Sequence, residues 1–327
     1  MSLPSENRSQ GVRQFAAFAA VYLIWGSTFL AIRYAIESVP PLMMAGTRFL
    51  LAGGFLYLWS RSRGAPAASP REWKSALLLG SLLFLLGNGV VAWAEQRISS
   101  GLTALLLTTI PLWMTLLVKI RGGSQVRLSI RVPIGLALGC LGVILLVGPR
   151  ELAGEKRLDV VGAAALLGAS ISWAIGSLYQ RHAPLPRSPL QSAGMQMLTG
   201  GGLLFAASLA TGEWTRLHLA EVSSRSVLSI FYLSVFGSVI AFTAYLWLLR
   251  NVSASRVSTY AFVNPVVALF LGWAFAGEGF SQRSLLAAVS ILVAVALILV
   301  PQGARWPRLK PLPPAPKPTR AAPSGTD

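Results

Sequence analysis

The chain has 327 residues, of which 54% are hydrophobic and only 12% are charged, and its mean hydropathy is +0.61. Because soluble domains carry about 25% charged residues, this composition excludes a soluble globular protein and predicts an integral membrane protein. The net charge of +17 does not indicate nucleic-acid binding, since the basic residues lie between the hydrophobic runs and do not form one folded face.

Ten apolar runs are long enough to form helices that cross a bilayer, which takes about 20 residues each. They leave little chain for a soluble domain, so the predicted fold is an all-α polytopic membrane protein with ten transmembrane helices. In chain order the runs cover residues 14–34, 41–60, 75–94, 101–119, 132–148, 160–180, 190–210, 227–249, 257–276 and 284–300.

The segments between the runs predict the topology. The N-terminal tail (1–13), alternate loops and the C-terminal tail (301–327) carry 19 Lys and Arg residues, whereas the opposite loops, including the connecting loop 149–159, carry eight. Because cytoplasmic loops of membrane proteins are enriched in Lys and Arg, both termini are predicted to lie in the cytoplasm and the connecting loop in the periplasm. The C-terminal tail is rich in Pro, and we expect a flexible extension there.

The two halves of the chain resemble each other. An offset of 148 residues aligns Trp25 with Trp173, and an offset of 154 aligns Pro111 with Pro265; most further matches at these offsets involve Trp, Gly, Pro or Arg. Each half contains five predicted spans, an odd number, so the second copy enters the membrane upside down. Inverted repeats are typical of secondary transporters, whose substrate binds near mid-membrane where the copies meet.

Pro111 and Pro265 also predict breaks in the spans that contain them. Proline frees the carbonyl one turn back along a helix, and lipid cannot satisfy that group. Each break is therefore expected to lie against other helices or a water-filled cavity.

The fifth span carries a face of small residues, Gly135, Gly139 and Gly142. Such a face lets another helix approach closely. Two interpretations stay open, packing within the protomer and a homodimer interface.

The ordered motifs of the chain are similar to those of a known family. The motifs are Ile24-Trp-Gly-Ser-Thr28, the segment 40–49 and Gly87-Asn-Gly89 in the first half, and the segments 170–177 and 260–267 in the second. On these residues the chain resembles the EamA family of the drug/metabolite transporter superfamily. The resemblance implies two inverted five-helix repeats at 14–148 and 160–300, a central cavity, the bacterial inner membrane as location, and export of small metabolites or drugs.

Polar and aromatic side chains inside the spans are the candidates for contact with substrate, because lipid cannot satisfy a polar group. Trp173 and Ser177 lie on one face of the sixth span. Trp25 is the counterpart of Trp173 in the first span, and Thr28 lies beside it. The alternative interpretation is an aromatic seam that packs helices together.

Tyr260 and Asn264 lie four residues apart, hence on one helix face, just before Pro265. Their counterparts at the offset of 154 are the apolar Leu106 and Ile110, so the shared fold does not require this polar pair. We predict that the pair contacts substrate; the alternative is that Asn264 satisfies the carbonyl freed by Pro265. Further candidates for the cavity wall are Asn88 and Tyr245.

Arg48 is a basic residue well inside a predicted span, where a charge costs roughly 2.5–3.5 kcal/mol on the insertion scale. One interpretation is that it reaches outward and pairs with Glu37 or Glu95. The other is that it binds a carboxylate of the substrate. Its counterpart is the neutral Gln196, so symmetry does not require the charge.

Residue types that are absent from the predicted spans indicate which solutes the protein can bind. No Asp or Glu lies in the middle of a predicted span, so we expect a neutral, zwitterionic or anionic solute; an organic cation held by Trp25 or Trp173 is the alternative. The single Cys140 excludes an internal disulfide and a Cys-based metal site, and the sequence has no phosphate-binding Gly-x-x-x-x-Gly-Lys-Ser loop. Neither a metal nor a cofactor is expected.

The sequence therefore predicts a secondary transporter whose partners are a small-molecule substrate and membrane lipid, with no nucleic acid. A membrane enzyme would need nucleophiles, acids or metal ligands clustered at one depth, and the sequence shows no such set. An uptake permease and a scaffold without transport are the alternatives.

Overall fold

The computed structural model describes residues 4–94, 96–97, 103, 106–122, 130–147, 159–276 and 282–299. Throughout these residues the chain is helical and has no β-strand. Glu95, most of the connecting loop and the C-terminal tail, for which the sequence made predictions, lie outside the described residues.

Most helices follow the predicted segments closely, but the first begins ten residues early and includes most of the N-terminal tail, and the fourth begins nine residues late, at Ile110. In the described residues, six of them, namely α1, α2, α3, α6, α7 and α8, are long and apolar enough to cross a membrane. The helices are α1 (Pro4–Ala35), α2 (Pro41–Ser62), α3 (Pro70–Ala94), α4 (Ile110–Gly122), α5 (Arg131–Val147), α6 (Val160–Tyr179), α7 (Pro189–Ala210), α8 (Ser224–Asn251), α9 (Tyr260–Ala276) and α10 (Gln282–Leu299).

Local sequence sets where several helices begin. Proline occupies the first position of α2, α3 and α7, where its missing N–H would have no partner within the helix. Ser69 and Ser188 cap α3 and α7 by accepting a hydrogen bond from a backbone N–H three residues later. At α2 the buried carboxylate of Glu213 accepts from the N–H groups of Leu42 and Met43, at 3.2 and 2.8 Å. Because Glu213 follows α7, this contact joins the α7–α8 connection to the start of α2.

Helices α2 and α7 pack closely against each other through glycines. Gly46 lies against Gly201 and Gly53 against Gly194, so the two helices run antiparallel. Gly194 and Gly201 are the counterparts of Gly46 and Gly53 at the offset of 148. Each glycine therefore contacts the counterpart of the other, which is the pattern that a two-fold axis between two copies of one unit produces.

Helices α5 and α10 repeat this reciprocal pattern. Ala287 and Ala294 lie 152 residues after Gly135 and Gly142, and each glycine again meets the counterpart of the other. The glycine face of α5 is thus covered by the chain's own helices, which confirms the interpretation of packing within the protomer. Gly135 lies against Ala294 and Ile298, Gly139 against Phe262, and Gly142 against Ala287 and Ile291.

Helices α3 and α8 each widen into a π-helix, over Gly80–Gly89 and Leu233–Ile240. These segments are called the π segments below. A π-turn leaves carbonyls without their usual partner, and side chains take them up. The amide of Asn88 donates to the carbonyl five residues earlier at 3.0 Å, and the hydroxyl of Ser238 does the same at 3.1 Å. Sequence analysis did not predict the π segments.

The prediction of helix breaks at Pro111 and Pro265 is wrong in position. The interruptions are turns at 108–109 and 258–259, and each proline lies in the helix that follows. Pro111 is the second residue of α4, where proline is well tolerated. Pro265 is the sixth residue of α9, which continues through it. Proline there removes one hydrogen bond, to the carbonyl of Ala261, and the helix keeps its remaining bonds.

Replacing Gly53 with Ala should destabilise the protein, because the new methyl group would lie 2.7 Å from the backbone nitrogen of Leu198 and 2.9 Å from the carbonyl oxygen of Gly194. Such overpacking costs about 1–3 kcal/mol, so the melting temperature in detergent should fall by several degrees. Gly54→Ala is the matched control, since nothing lies within 4 Å of a methyl group there. Equal melting temperatures for the two variants would contradict the close contact between α2 and α7.

Candidate substrate-binding site

A cavity of about 130 Å³ lies between the two halves, beside both π segments. Its walls come from α1 to α4 in the first half and from α6, α8 and α9 in the second. A cavity of roughly 150 Å³ can hold a molecule the size of benzene, so this one has room for a small organic solute. Seven of the predicted site residues line it: Trp25, Thr28, Arg48, Asn88, Trp173, Tyr260 and Asn264.

Four aromatic side chains pack together at one end of the cavity: Trp25, Trp173 and Tyr260, which line it, and Tyr245 behind them. They are called the aromatic cluster below. The Trp25 ring lies at its centre, with centroid distances of 5.9 Å to Trp173, 5.1 Å to Tyr245 and 4.9 Å to Tyr260. These distances are typical of favourable tilted and edge-to-face pairs. Trp25 and Trp173 are counterparts that touch each other, so the cluster lies on the axis that relates the two halves.

Both indole rings of the cluster are held by hydrogen bonds to α8. The Trp25 Nε1–H donates to the carbonyl of Gly237 at 3.0 Å, and the Trp173 Nε1–H donates to the hydroxyl of Tyr245 at 3.2 Å. The Trp173 ring also packs over Gly87, where an added methyl group would lie 3.0 Å from the ring. The π segments, which contain both glycines, therefore fix where the tryptophans lie.

Ser177 and Tyr245, two of the predicted site residues, do not line the cavity. Both are fully buried behind Trp173. The Tyr245 hydroxyl is hydrogen-bonded to the Ser177 hydroxyl and accepts from the Trp173 indole. In this structure they hold Trp173 in place.

Tyr260 and Asn264 line the cavity and carry buried polar atoms. The Tyr260 hydroxyl and the Asn264 Oδ1 make no hydrogen bond of normal geometry to a described residue, although the Tyr260 hydroxyl lies within reach of the Tyr245 hydroxyl. No hydrogen bond from the Asn264 amide nitrogen to a described residue is found either, so the alternative interpretation, in which Asn264 satisfies the carbonyl freed by Pro265, is not supported. A buried polar atom without a partner costs about 1–3 kcal/mol, so both atoms favour a bound solute or water.

Arg48 lies in the wall of the cavity and is only 6% exposed. Its Nε donates to the hydroxyl of Ser238 at 2.9 Å, and its guanidinium carbon lies 4.5 Å from the centroid of the Phe49 ring. The pairing with Glu37 is not found, because Glu37 lies 4.0 Å from Arg225 instead; Glu95 is outside the described residues. Among the residues that are described, no carboxylate lies within 4.0 Å of Arg48.

Thr28 and Asn88 line the cavity but use their donor groups on nearby backbone. The Thr28 hydroxyl donates to the carbonyl of Trp25 at 2.6 Å, and the Asn88 amide donates to a backbone carbonyl within its π segment. They offer the cavity acceptor atoms.

Most of the cavity wall is apolar. The sequence analysis did not predict most of these residues, because it chose candidates chiefly for their polar groups. Phe29 lies one turn after Trp25 on the same helix, and this spacing indicates an aromatic stripe that includes both residues. The unpredicted lining residues are Ile32, Phe49, Phe84, Gly87, Val91, Leu107, Ile110, Ala169, Gly237 and Phe242.

Comparison with known proteins decides the family. The sequence model of the EamA-like transporter family matches residues 14–148 and 160–300. The chain belongs to this family. The segments matched by the model are two copies of one unit, as the repeats in the sequence and the reciprocal helix contacts predict. A member of this family is a membrane transporter and not an enzyme.

Two of the following three relatives carry transporter names. The chain is 41% identical over 286 residues to the "Uncharacterized inner membrane transporter YedA" of Escherichia coli (strain K12), covering 87% of this chain and 90% of that one. It is 24% identical over 285 residues to the "Uncharacterized transporter YoaV" of Bacillus subtilis (strain 168), covering 87% and 96%. The "WAT1-related protein At3g02690, chloroplastic" of Arabidopsis thaliana is 26% identical over 310 residues, covering 91% and 74%.

One solved crystal structure has the same fold. It superposes with a TM-score of 0.70 at 18% sequence identity, covering 88% of this chain and 96% of that chain. At this identity the likeness shows the fold alone.

The two tyrosines of the aromatic cluster should respond differently to loss of the hydroxyl. Tyr245→Phe removes the acceptor of the Trp173 N–H and one of the two hydrogen bonds of the buried Ser177 hydroxyl, so it should cost about 1–3 kcal/mol and lower the melting temperature of the substrate-free protein. Tyr260→Phe removes a hydroxyl that makes no hydrogen bond of normal geometry and should leave the melting temperature unchanged or raise it. A larger loss for Tyr260→Phe than for Tyr245→Phe would contradict the arrangement of the cluster.

Proposed function

We propose that this EamA-like transporter is a secondary transporter of ten membrane-spanning helices that exports a small organic solute across the bacterial inner membrane by alternating access. The observation that carries the proposal is the position of the cavity on the axis between two antiparallel halves, closed at one end by the aromatic cluster. A site on such an axis opens to the opposite side when the halves exchange conformations. Export is the direction that the resemblance to the family implies, and the name of the E. coli relative supports the inner membrane.

The cavity faces the periplasm in the proposed orientation. Its lining extends beyond the aromatic cluster to Ile32 on α1 and Val91 on α3, toward the C-terminal ends of both helices. The excess of Lys and Arg in the tails and alternate loops supports cytoplasmic termini, which makes those helix ends periplasmic. On the other side of the cluster, the hydroxyls of Tyr22 and Thr259 are hydrogen-bonded at 2.6 Å and close the cytoplasmic side.

Repeat symmetry predicts the contact that closes the periplasmic side in the opposite state. The cytoplasmic closure includes the hydrogen bond between Ser177 on α6 and Tyr245 on α8. Their counterparts, at the offsets of 148 and 154, are Phe29 on α1 and Val91 on α3, which line the open cavity. When the halves exchange conformations, Phe29 and Val91 meet while Ser177 and Tyr245 separate.

Counterflow into proteoliposomes tests transport directly. In a panel of amino acids, nucleosides and cationic dyes, at least one labelled solute should exchange faster with the protein than with empty liposomes. Trp173→Ala removes a wall of the cavity and Asn264→Leu removes an unpaired polar group, so each should lower the exchange rate by about tenfold or more. Leu23→Ala is the control, because Leu23 is 60% exposed on the outside of α1.

Two outcomes of this experiment distinguish an error in the assigned binding site from an error in the proposed transport function. Normal exchange by both cavity variants would show that substrate binds elsewhere. Absence of exchange for every solute, with a correctly folded protein, would overturn the transport proposal.

Thiol labelling tests the proposed gates. In a Cys140→Ser background, Phe29→Cys should react with a membrane-impermeant maleimide from the periplasmic side, whereas its counterpart Ser177→Cys should be protected because it is fully buried. A transported solute should lower the labelling of Phe29→Cys and expose Ser177→Cys from the cytoplasmic side. Simultaneous labelling of both positions from one side would be incompatible with alternating access.

A further inference from the structure

The positive charge of Arg48 has no counter-charge in the described part of the chain. Its Nε–H donates a hydrogen bond to the neutral hydroxyl of Ser238. The Phe49 ring supplies a cation–π contact, with its centroid 4.5 Å from the guanidinium carbon. The two terminal nitrogens make no hydrogen bond to a described residue, and the side chain lines the cavity. A buried, uncompensated guanidinium is costly, and an anion in the cavity would offset that cost.

The cavity as a whole favours an anion over a cation. Among the described residues that line it, Arg48 is the one charged side chain, and none is Asp or Glu. A solute cation would therefore meet a positive charge that no described residue compensates. A solute carboxylate would meet a planar fork of N–H donors, which matches the two oxygens of a carboxylate.

Gly237, in the π segment of α8, lets the guanidinium of Arg48 pack closely against this helix. A methyl group at this position would lie 3.1 Å from the Nη2 atom of Arg48 and 3.2 Å from the Thr28 methyl carbon. The corresponding position of Arg48 in the second half is the neutral Gln196, which is buried and donates to Ser192 at 3.0 Å. Because one copy of the unit folds with a neutral residue here, the charge serves something other than the fold.

The other residues that line the cavity indicate which kind of molecule would carry the carboxylate. Aromatic and aliphatic walls, with Trp25 and Trp173 at the closed end, suit a flat or branched apolar body. Tyr260 and Asn264 line the cavity as well. The volume of about 130 Å³ limits the solute to a small molecule.

We propose that Arg48 is the anion anchor of this site and that the transported solute is a small organic carboxylate with an apolar body. The inference rests on the proposed transport function and names the chemical class of its substrate. The carboxylate binds the terminal nitrogens of Arg48 from the cavity that this side chain lines, and the apolar body packs against the tryptophans. Loss of the carboxylate removes the interaction that offsets the buried charge, so neutral analogues bind more weakly.

The test compares three solutes that share one body and differ in one group: phenylacetate, phenylacetamide and phenethylamine. Quenching of tryptophan fluorescence reports binding to the purified protein, and counterflow reports transport. We expect phenylacetate to bind at least tenfold more tightly than the amide or the amine. Arg48→Gln, which installs the residue found at position 196, should weaken phenylacetate binding at least tenfold and change amide binding less than threefold. Arg33→Gln is the control, because Arg33 is an exposed arginine at the end of α1.

A second variant keeps the charge of Arg48 and displaces its guanidinium. Gly237→Ala places a methyl group against Nη2 and should also weaken phenylacetate binding selectively, so the test stands even if Arg48→Gln does not fold. Equal affinity for the carboxylate, the amide and the amine, or carboxylate binding that is unchanged in both variants, would overturn the anchor. Arg48-dependent binding without counterflow would keep the anchor and overturn the transport proposal.

Discussion

The close antiparallel contact between α2 and α7 is the constraint on which the rest of the structure depends. At Gly46 with Gly201 and at Gly53 with Gly194, the helix backbones approach to a distance that no side chain permits. This contact fixes a two-fold axis between the halves. Trp25 and Trp173 then meet across the axis, and the π segments of α3 and α8 leave a cavity beside them.

The site lies where the two halves differ. The tryptophans at the axis are the same in both copies, and they shape the cavity without distinguishing its two sides. The polar groups in the proposed site depart from symmetry, since Arg48 corresponds to a glutamine and Asn264 to an isoleucine. On the proposed function, symmetry between the copies serves the movement and these departures serve binding.

Local patterns in the sequence predicted most of the fold. Apolar runs gave helix ends within a few residues for most segments, and fixed offsets gave the pairing of Trp25 with Trp173. The glycine face of α5 was also correctly predicted, because small residues at helical spacing have a direct packing meaning.

The features that the sequence did not predict depend on tertiary contacts, which no local pattern encodes. A π segment is stable when side chains take up its freed carbonyls, as those of Asn88 and Ser238 do, and sequence alone does not reveal which carbonyls they reach. The effect of Pro265 depends on its distance from the start of α9, which a turn at 258–259 sets. The bond from Arg48 to Ser238, in place of an ion pair with Glu37, follows from where α8 packs against α2.

Distances between spin labels at repeat-related positions would test the exchange of conformations most directly. One pair is Arg33 with Arg97, near the ends of α1 and α3, and the other is its counterpart, Arg181 with Asn251, near the ends of α6 and α8. In a Cys140→Ser background, double electron–electron resonance should show the first distance shortening and the second lengthening when a transported solute is added. Changes of the same sign in both pairs, or no change in either during active exchange, would contradict two antiparallel halves that alternate around one central cavity.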